Sequence, residues 1–243
     1  MQSLLLRASQ RAFVVAARAP RTTLPRATVP RQRYLHNTVP RRAQSSTKAC
    51  PVCTQPLPGP VPACTKCWNI FALPADVSHH ELLGLDYDPN PFVVDLPTLK
   101  KRFRDAQSIC HPDSWASKNP SQKDVAQALS ARVNHAYQTL LNPLPRAEYI
   151  LERNGVHISE VDQAQDMMFM AEIMEARETI DDAENPEEVR ALLEENEDKI
   201  SATVKELESL FKDRDYASAK AATIRLRYLQ GIHRAAKRWL DNH

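Results

Sequence analysis

From residue 96 onward, apolar side chains recur at every third or fourth position, the period of a helix with one buried face. Leu96, Leu99, Phe103, Ala106 and Cys110 form one stripe, and Val125, Leu129, Val133, Ala136, Tyr137 and Leu140 a second. The spacing predicts helices over Leu96–Cys110 and Ser121–Leu141. Asp95 should be the N-cap of the first, with Pro97 in its opening turn. A short helix over His80–Leu85 should stop near Gly84. Beyond Gly155 the helical period runs through three longer stretches, near 160–182, 186–212 and 215–240, with Asn185 and Pro186 marking a start. The pattern predicts a helical hairpin followed by an antiparallel three-helix bundle. Four glycines and 6% aromatic residues agree with an all-α chain.

The first bundle helix carries more apolar surface than packing needs. Phe169, Ile173, Ala176 and Ile180 make one stripe, enough to face two neighbours. Met167, Met170 and Met174 make another, rotated by roughly 80–100° at 100° per residue, beside Ala171, Glu175 and Glu178. A broad core face explains this pattern, and so does an exposed protein-binding face. The periodicity alone leaves both open.

Ahead of the hairpin, Cys50-x-x-Cys53 and Cys64-x-x-Cys67 stand ten residues apart, joined by a loop with four prolines and a glycine. Four thiolates at this spacing suit one tetrahedral zinc ion, and sulfur in all four positions makes its role structural. So short a segment buries little, and metal binding would supply its folding free energy. Two disulfides or a redox pair are the alternatives. The knuckle precedes the hairpin and is expected to be dispensable for its folding. Cys110 has no partner at ligand spacing and reads as core.

Charge divides the chain unevenly. Residues 1–42 hold nine arginines and no acid, while the remainder carries 23 basic and 30 acidic residues, a net charge of −7. An Arg-rich, acid-free start with short apolar patches reads as a mitochondrial transit peptide, with processing after Tyr34 and a mitochondrial matrix location. A basic nucleic-acid-binding arm is the alternative. No run approaches the roughly 20 apolar residues of a membrane span. Against the acidic remainder, Lys100, Lys101, Arg102 and Arg104 form a positive arc on the first hairpin helix. It is either a solvated face or a docking surface for an acidic partner.

Between the two hairpin helices lies His111-Pro112-Asp113. A His–Asp catalytic dyad has no accompanying nucleophile or phosphate-binding glycine loop here. At the tip of a basic helical hairpin, the tripeptide resembles the J domain, which stimulates ATP hydrolysis by DnaK-type chaperones. Glu81-Leu82-Leu83-Gly84-Leu85, DLPTLKKRFRDAQ, Asn134-His135-Ala136-Tyr137 and Arg146-Ala147-Glu148-Tyr149-Ile150-Leu151 are together similar to the HscB type of J-protein, over roughly residues 78–240. The cysteine pairs resemble the extra N-terminal element of some eukaryotic members. One departure is His79-His80, where that family usually has an aromatic pair.

The resemblance implies a co-chaperone of iron–sulfur cluster assembly, not an enzyme. It would activate a mitochondrial DnaK-type ATPase through His111, Pro112 and Asp113 and would deliver an iron–sulfur cluster scaffold protein of the IscU type. FMAEIMEARETI looks like the scaffold-binding segment, which carries the scaffold contacts over to Met170, Ala171, Met174, Glu175 and Glu178, with Tyr228 supplying an aromatic contact. The implied organisation is a transit peptide over 1–42, a tetracysteine zinc knuckle and linker over 43–75, a J domain over 76–155 and a scaffold-binding bundle over 156–243. A zinc-dependent nucleic-acid-binding protein is the rival reading. It is weakened by the acidic remainder and by the lack of aromatics among the arginines.

Overall fold

The computed structural model describes residues 49–159, 162–164 and 166–243, so the predicted transit peptide and its processing site lie outside the described residues. A small antiparallel hairpin comes first, β1 (Ala63–Cys64) paired with β2 (Asn69–Ile70). Seven α-helices follow: α1 (His79–Leu82), α2 (Leu96–Cys110), α3 (Pro120–Leu141), α4 (Pro143–Arg153), α5 (Met167–Asp182), α6 (Pro186–Asp213) and α7 (Tyr216–Asn242). A single 3₁₀ turn, Pro112–Trp115, joins α2 to α3.

Most helix starts obey local chemistry. Asp95 accepts from the Thr98 N–H at 3.0 Å, and Asn119, Asn185 and Asp215 cap α3, α6 and α7 in the same way. Each such cap is worth about 1 kcal/mol. The expected helix over 160–182 starts later, at Met167, because Asp166 accepts from the N–H groups of Met168 and Phe169 and fixes the first turn there. The first short helix also shifts. Ser78 caps it through the Glu81 N–H, and Gly84 turns the chain at φ 63°. A Cβ on Gly84 would stand 3.1 Å from Pro60 Cγ.

Among the described residues there are four buried clusters, a small one of Cys50, Leu57 and Cys64 and three larger ones that run through the helices. In the first, Leu99, Ala106 and Cys110 of α2 meet Leu129, Val133, Ala136 and Leu140 of α3, with Leu82, Leu83 and Trp115. Val61, Ala63 and Ile70 from the cysteine element belong to that same cluster. The expectation that the hairpin folds without this element therefore needs revision, because both share one core. In the second cluster, Phe92 and Ala147, Ile150 and Leu151 of α4 pack on Leu207 and Phe211 of α6 and Leu226 of α7. The third joins Ile173 and Ile180 of α5 to Val189 of α6 and Leu229 and Ile232 of α7.

Arg146 secures the joint between α3 and α4. It is buried and donates to the carbonyls of Leu140, Phe92 and Leu141 at 2.7, 2.8 and 3.2 Å. Those acceptors include carbonyls that the end of α3 leaves without intrahelical partners.

Candidate functional site

The His-Pro-Asp turn is rigid below and open above. His111, at φ −59° and ψ 129°, holds the extended backbone that a following proline favours, and Pro112 then opens the 3₁₀ turn. Trp115 anchors it from beneath. Its indole is 1% exposed, and Nε1–H donates to the Ile109 carbonyl at 3.0 Å. Above, the Asp113 N–H donates to His111 Nδ1 at 3.3 Å, and the carboxylate oxygen lies 3.6 Å from that nitrogen. The Asp113 side chain is 90% exposed, so its charge is available to a partner. Lys100, Lys101, Arg102 and Arg104 are all exposed on α2, while Phe103 on the opposite arc stacks on Tyr137 at 4.1 Å.

The four cysteines converge. Their sulfurs lie within 4.8 Å of one another, with Cys50–Cys67 and Cys53–Cys64 at 3.5 and 3.6 Å. Disulfide bonding needs about 2.05 Å, and all four are free thiols. Tetrahedral bonds of about 2.3 Å place sulfurs about 3.8 Å apart, so the set fits one metal ion. The backbone N–H of Cys67, then that of Lys66, brings the Cys64 thiol down to about 6 against the effect of burial. Burial pushes on Cys50 too, but the N–H groups of Cys53 and Val52 leave it lowered. The Gln55 N–H favours the Cys53 thiolate, yet burial and the neighbouring Cys67, Cys64 and Cys50 drive it up to about 12. Thiols that cannot all ionise alone at neutral pH can do so together around a cation.

Both cysteine pairs end in the same backbone turn. Thr54 and Trp68, each directly after the second cysteine of its pair, take left-handed φ values of 57° and 55°. Glycine usually occupies such positions, and a bulky residue there is strained.

On α5 the two stripes separate as two environments. Ile173 and Ile180 are buried, whereas Met167 and Met174 are 86% and 60% exposed. Ala171, Glu175 and Glu178 are exposed beside them, and Met170 is half-buried. Tyr228 on α7 is half-buried and meets Phe169 edge-on at 6.2 Å. The core reading therefore holds for one stripe only. Sequence reasoning missed Trp68, Trp115, Asn69 and Gln122, which surround the turn and the cysteines. Trp115 carried one usable signal: a large apolar residue two places after Asp113.

Comparison with known proteins agrees with this architecture. Residues 165–237 match the family model described as the HSCB C-terminal oligomerisation domain. The human iron–sulfur cluster co-chaperone protein HscB is 31% identical over 217 residues, covering 86% of this chain and 89% of that protein. A co-chaperone protein HscB homolog of Burkholderia thailandensis is 39% identical over 163 residues, 65% of this chain and 90% of that protein. The crystal structure of human HscB superposes with a TM-score of 0.68 at 29% identity, covering 78% of this chain and 97% of the other. A relative matched along nearly nine-tenths of its length, and a solved structure of it that superposes along 97% of its own, leave one conclusion: this chain belongs to the HscB family of iron–sulfur cluster co-chaperones.

Proposed function

We propose that this protein stimulates the ATPase of a mitochondrial DnaK-type chaperone and delivers to it an iron–sulfur cluster scaffold protein of the IscU type, aiding cluster transfer to recipient proteins. The observation that carries this reading is the His-Pro-Asp turn: an exposed carboxylate and imidazole on a braced loop that continues a basic helix. The arc of Lys100, Lys101, Arg102 and Arg104 attracts an acidic surface of the ATPase, and His111 and Asp113 act on it. The methionine face of α5, with Met170, Ala171, Met174, Glu175 and Glu178, and Tyr228 of α7, holds the scaffold. Flexible thioethers flanked by carboxylates suit an apolar patch rimmed by basic residues. Cys50, Cys53, Cys64 and Cys67 hold one zinc ion, which when bound cross-links the element. The arginine-rich residues 1–42 direct the chain to the mitochondrial matrix. Among the described residues, no helix is long and apolar enough to cross a membrane.

Steady-state ATP turnover by the partner chaperone tests this directly. Asp113→Ala and His111→Gln should abolish stimulation while leaving scaffold binding unchanged. Undiminished stimulation by both variants would remove the reading.

A further inference from the structure

The cysteine element and the His-Pro-Asp turn are joined by two contacts. Trp68 directly follows Cys67, and its indole meets Trp115, the anchor of the turn, edge-on at 5.8 Å. Asn69 supplies the second. Its Nδ2–H group donates to Cys67 Sγ at 3.3 Å and to the Cys67 carbonyl at 3.1 Å, while its Oδ1 accepts from Gln122 Nε2 at 3.1 Å. Gln122 lies in the first turn of α3, the helix that leaves the His-Pro-Asp turn. Lys118, between the two, stands 4.7 Å above the Trp68 ring. One face of the turn thus leans on residues whose own position depends on the cysteines.

Trp68 is also the residue held at φ 55°. A tryptophan stays in the left-handed region only where its surroundings enforce it. Cys64 and Cys67 lie just before it, and tying both sulfurs to one ion closes the knuckle that imposes this φ. Without that tie the backbone would be able to relax toward negative φ and to carry the indole away from Trp115.

From these contacts we infer that Trp68 is a positioning residue for the His-Pro-Asp turn, and that metal held by the four cysteines couples to ATPase stimulation through Trp68–Trp115 and Asn69–Gln122. The inference takes its activity arm from the function proposed above, but its structural arm needs no ATPase. Coupling between two sites is reciprocal. Whatever metal loading does for the turn, contacts made by the turn must do for metal affinity.

Amide hydrogen exchange on the zinc-loaded and chelator-stripped chain reads the structural arm. Stripping should speed exchange at Asp113, Ser114 and Trp115 by about five-fold or more, in the usual range of allosteric coupling. Gln122→Ala, which touches no cysteine, should weaken zinc binding in a competitive chelator titration by a similar factor. Trp68→Leu should keep one zinc per chain yet show the fast exchange of the stripped protein, and Trp68→Phe should restore slow exchange. In the activity arm, stripping should weaken stimulation by wild type and leave loaded Trp68→Leu no worse than it already is. Exchange at the turn that ignores both stripping and Trp68→Leu would overturn the inference, as would equal losses on stripping in wild type and Trp68→Leu. Failure of wild type to stimulate any DnaK-type ATPase, with the exchange results as expected, would overturn the proposed function and leave the coupling standing.

Discussion

The His-Pro-Asp turn and the methionine face of α5 are built from opposite materials. The turn presents polar groups at fixed positions: a 3₁₀ turn, a proline, a capping imidazole and a tryptophan sealed beneath. The α5 face presents apolar groups on flexible, unbranched side chains, with Met167 and Met174 mostly exposed. A preorganised site loses little entropy on binding and suits repeated, brief action on one partner surface. A methionine face adapts to its partner at a larger ordering cost and draws its affinity from area. The energetic consequences of mutation should differ in the same way: support residues matter at the turn, and contact residues matter on α5.

The largest effect should come from removing what supports the turn. A chain beginning near Val77 loses Val61 and Ile70 from the first core, and two such side chains are worth roughly 3–6 kcal/mol together. Its hairpin should melt well below that of the longer chain in circular dichroism, and an unchanged midpoint would show that the shared core is only nominal. Trp115→Ala should cost about 3–5 kcal/mol for the same reason, in contrast to the exposed Asp113, whose truncation should stay within about ±0.5 kcal/mol of stability.

On α5 the comparison can be sharpened residue by residue. Met174→Ala should weaken scaffold binding in calorimetric titration and leave the thermal midpoint in place, because the side chain is 60% exposed. Tyr228 is different. It borders the third core and packs against Phe169, so Tyr228→Ala should lower both affinity and midpoint. Met170→Ala, Met174→Ala and Tyr228→Ala combined should cost over ~2 kcal/mol of binding. Unchanged affinity in a folded triple variant would place the scaffold elsewhere.

The smallest effect should be a pH dependence. His79 stacks on Tyr149 at 4.1 Å, and burial, helped by nearby His135, His80, Arg153 and Arg132, lowers its pKa from 6.5 to about 4. Below 6.5 the unfolded chain binds this proton and the folded chain does not, so the contribution is complete above that pH and lost as pH falls towards 4. Discounted for partial exposure of the ring, the loss is about 1–2 kcal/mol. His79→Phe should flatten thermal midpoints between pH 6.5 and 4, and an identical slope in the variant would reassign it to other groups.

Much of this fold was legible because it is written locally. Asp95 with Pro97 and Asn185 with Pro186 announce helix starts within four residues, and the stripe of Ile173 and Ile180 reports its own burial. The cysteine spacing and the tripeptide were equally plain. Long-range features were not. Trp68 meets Trp115 across 47 positions and Gln122 bonds Asn69 across 53, separations no periodicity can register. Thr54 and Trp68 also break the glycine rule for left-handed backbone, so the two knuckle turns carried no warning in composition. The start of α5 was missed for a simpler reason: apolar residues before Asp166 continued the pattern, and the cap decided otherwise.

Arg146 bears on how the two ends of the molecule work together. Its guanidinium fastens α4 to the end of α3 and to Phe92, and α4 in turn lies on Leu207 and Phe211 near the far end of α6. Helix α5 lies along the first part of α6, from Val189, 22 residues and about 33 Å before Phe211, to Lys199, 12 residues and about 18 Å before it, where the ammonium meets Glu172 of α5 at 3.2 Å. The protein is in this respect a ruler. A cargo held on α5, as proposed, would sit at a reach set by helix rise, and lengthening α6 and α7 by matched turns between Lys199 and Leu207 should move it outward in steps of about 5.4 Å.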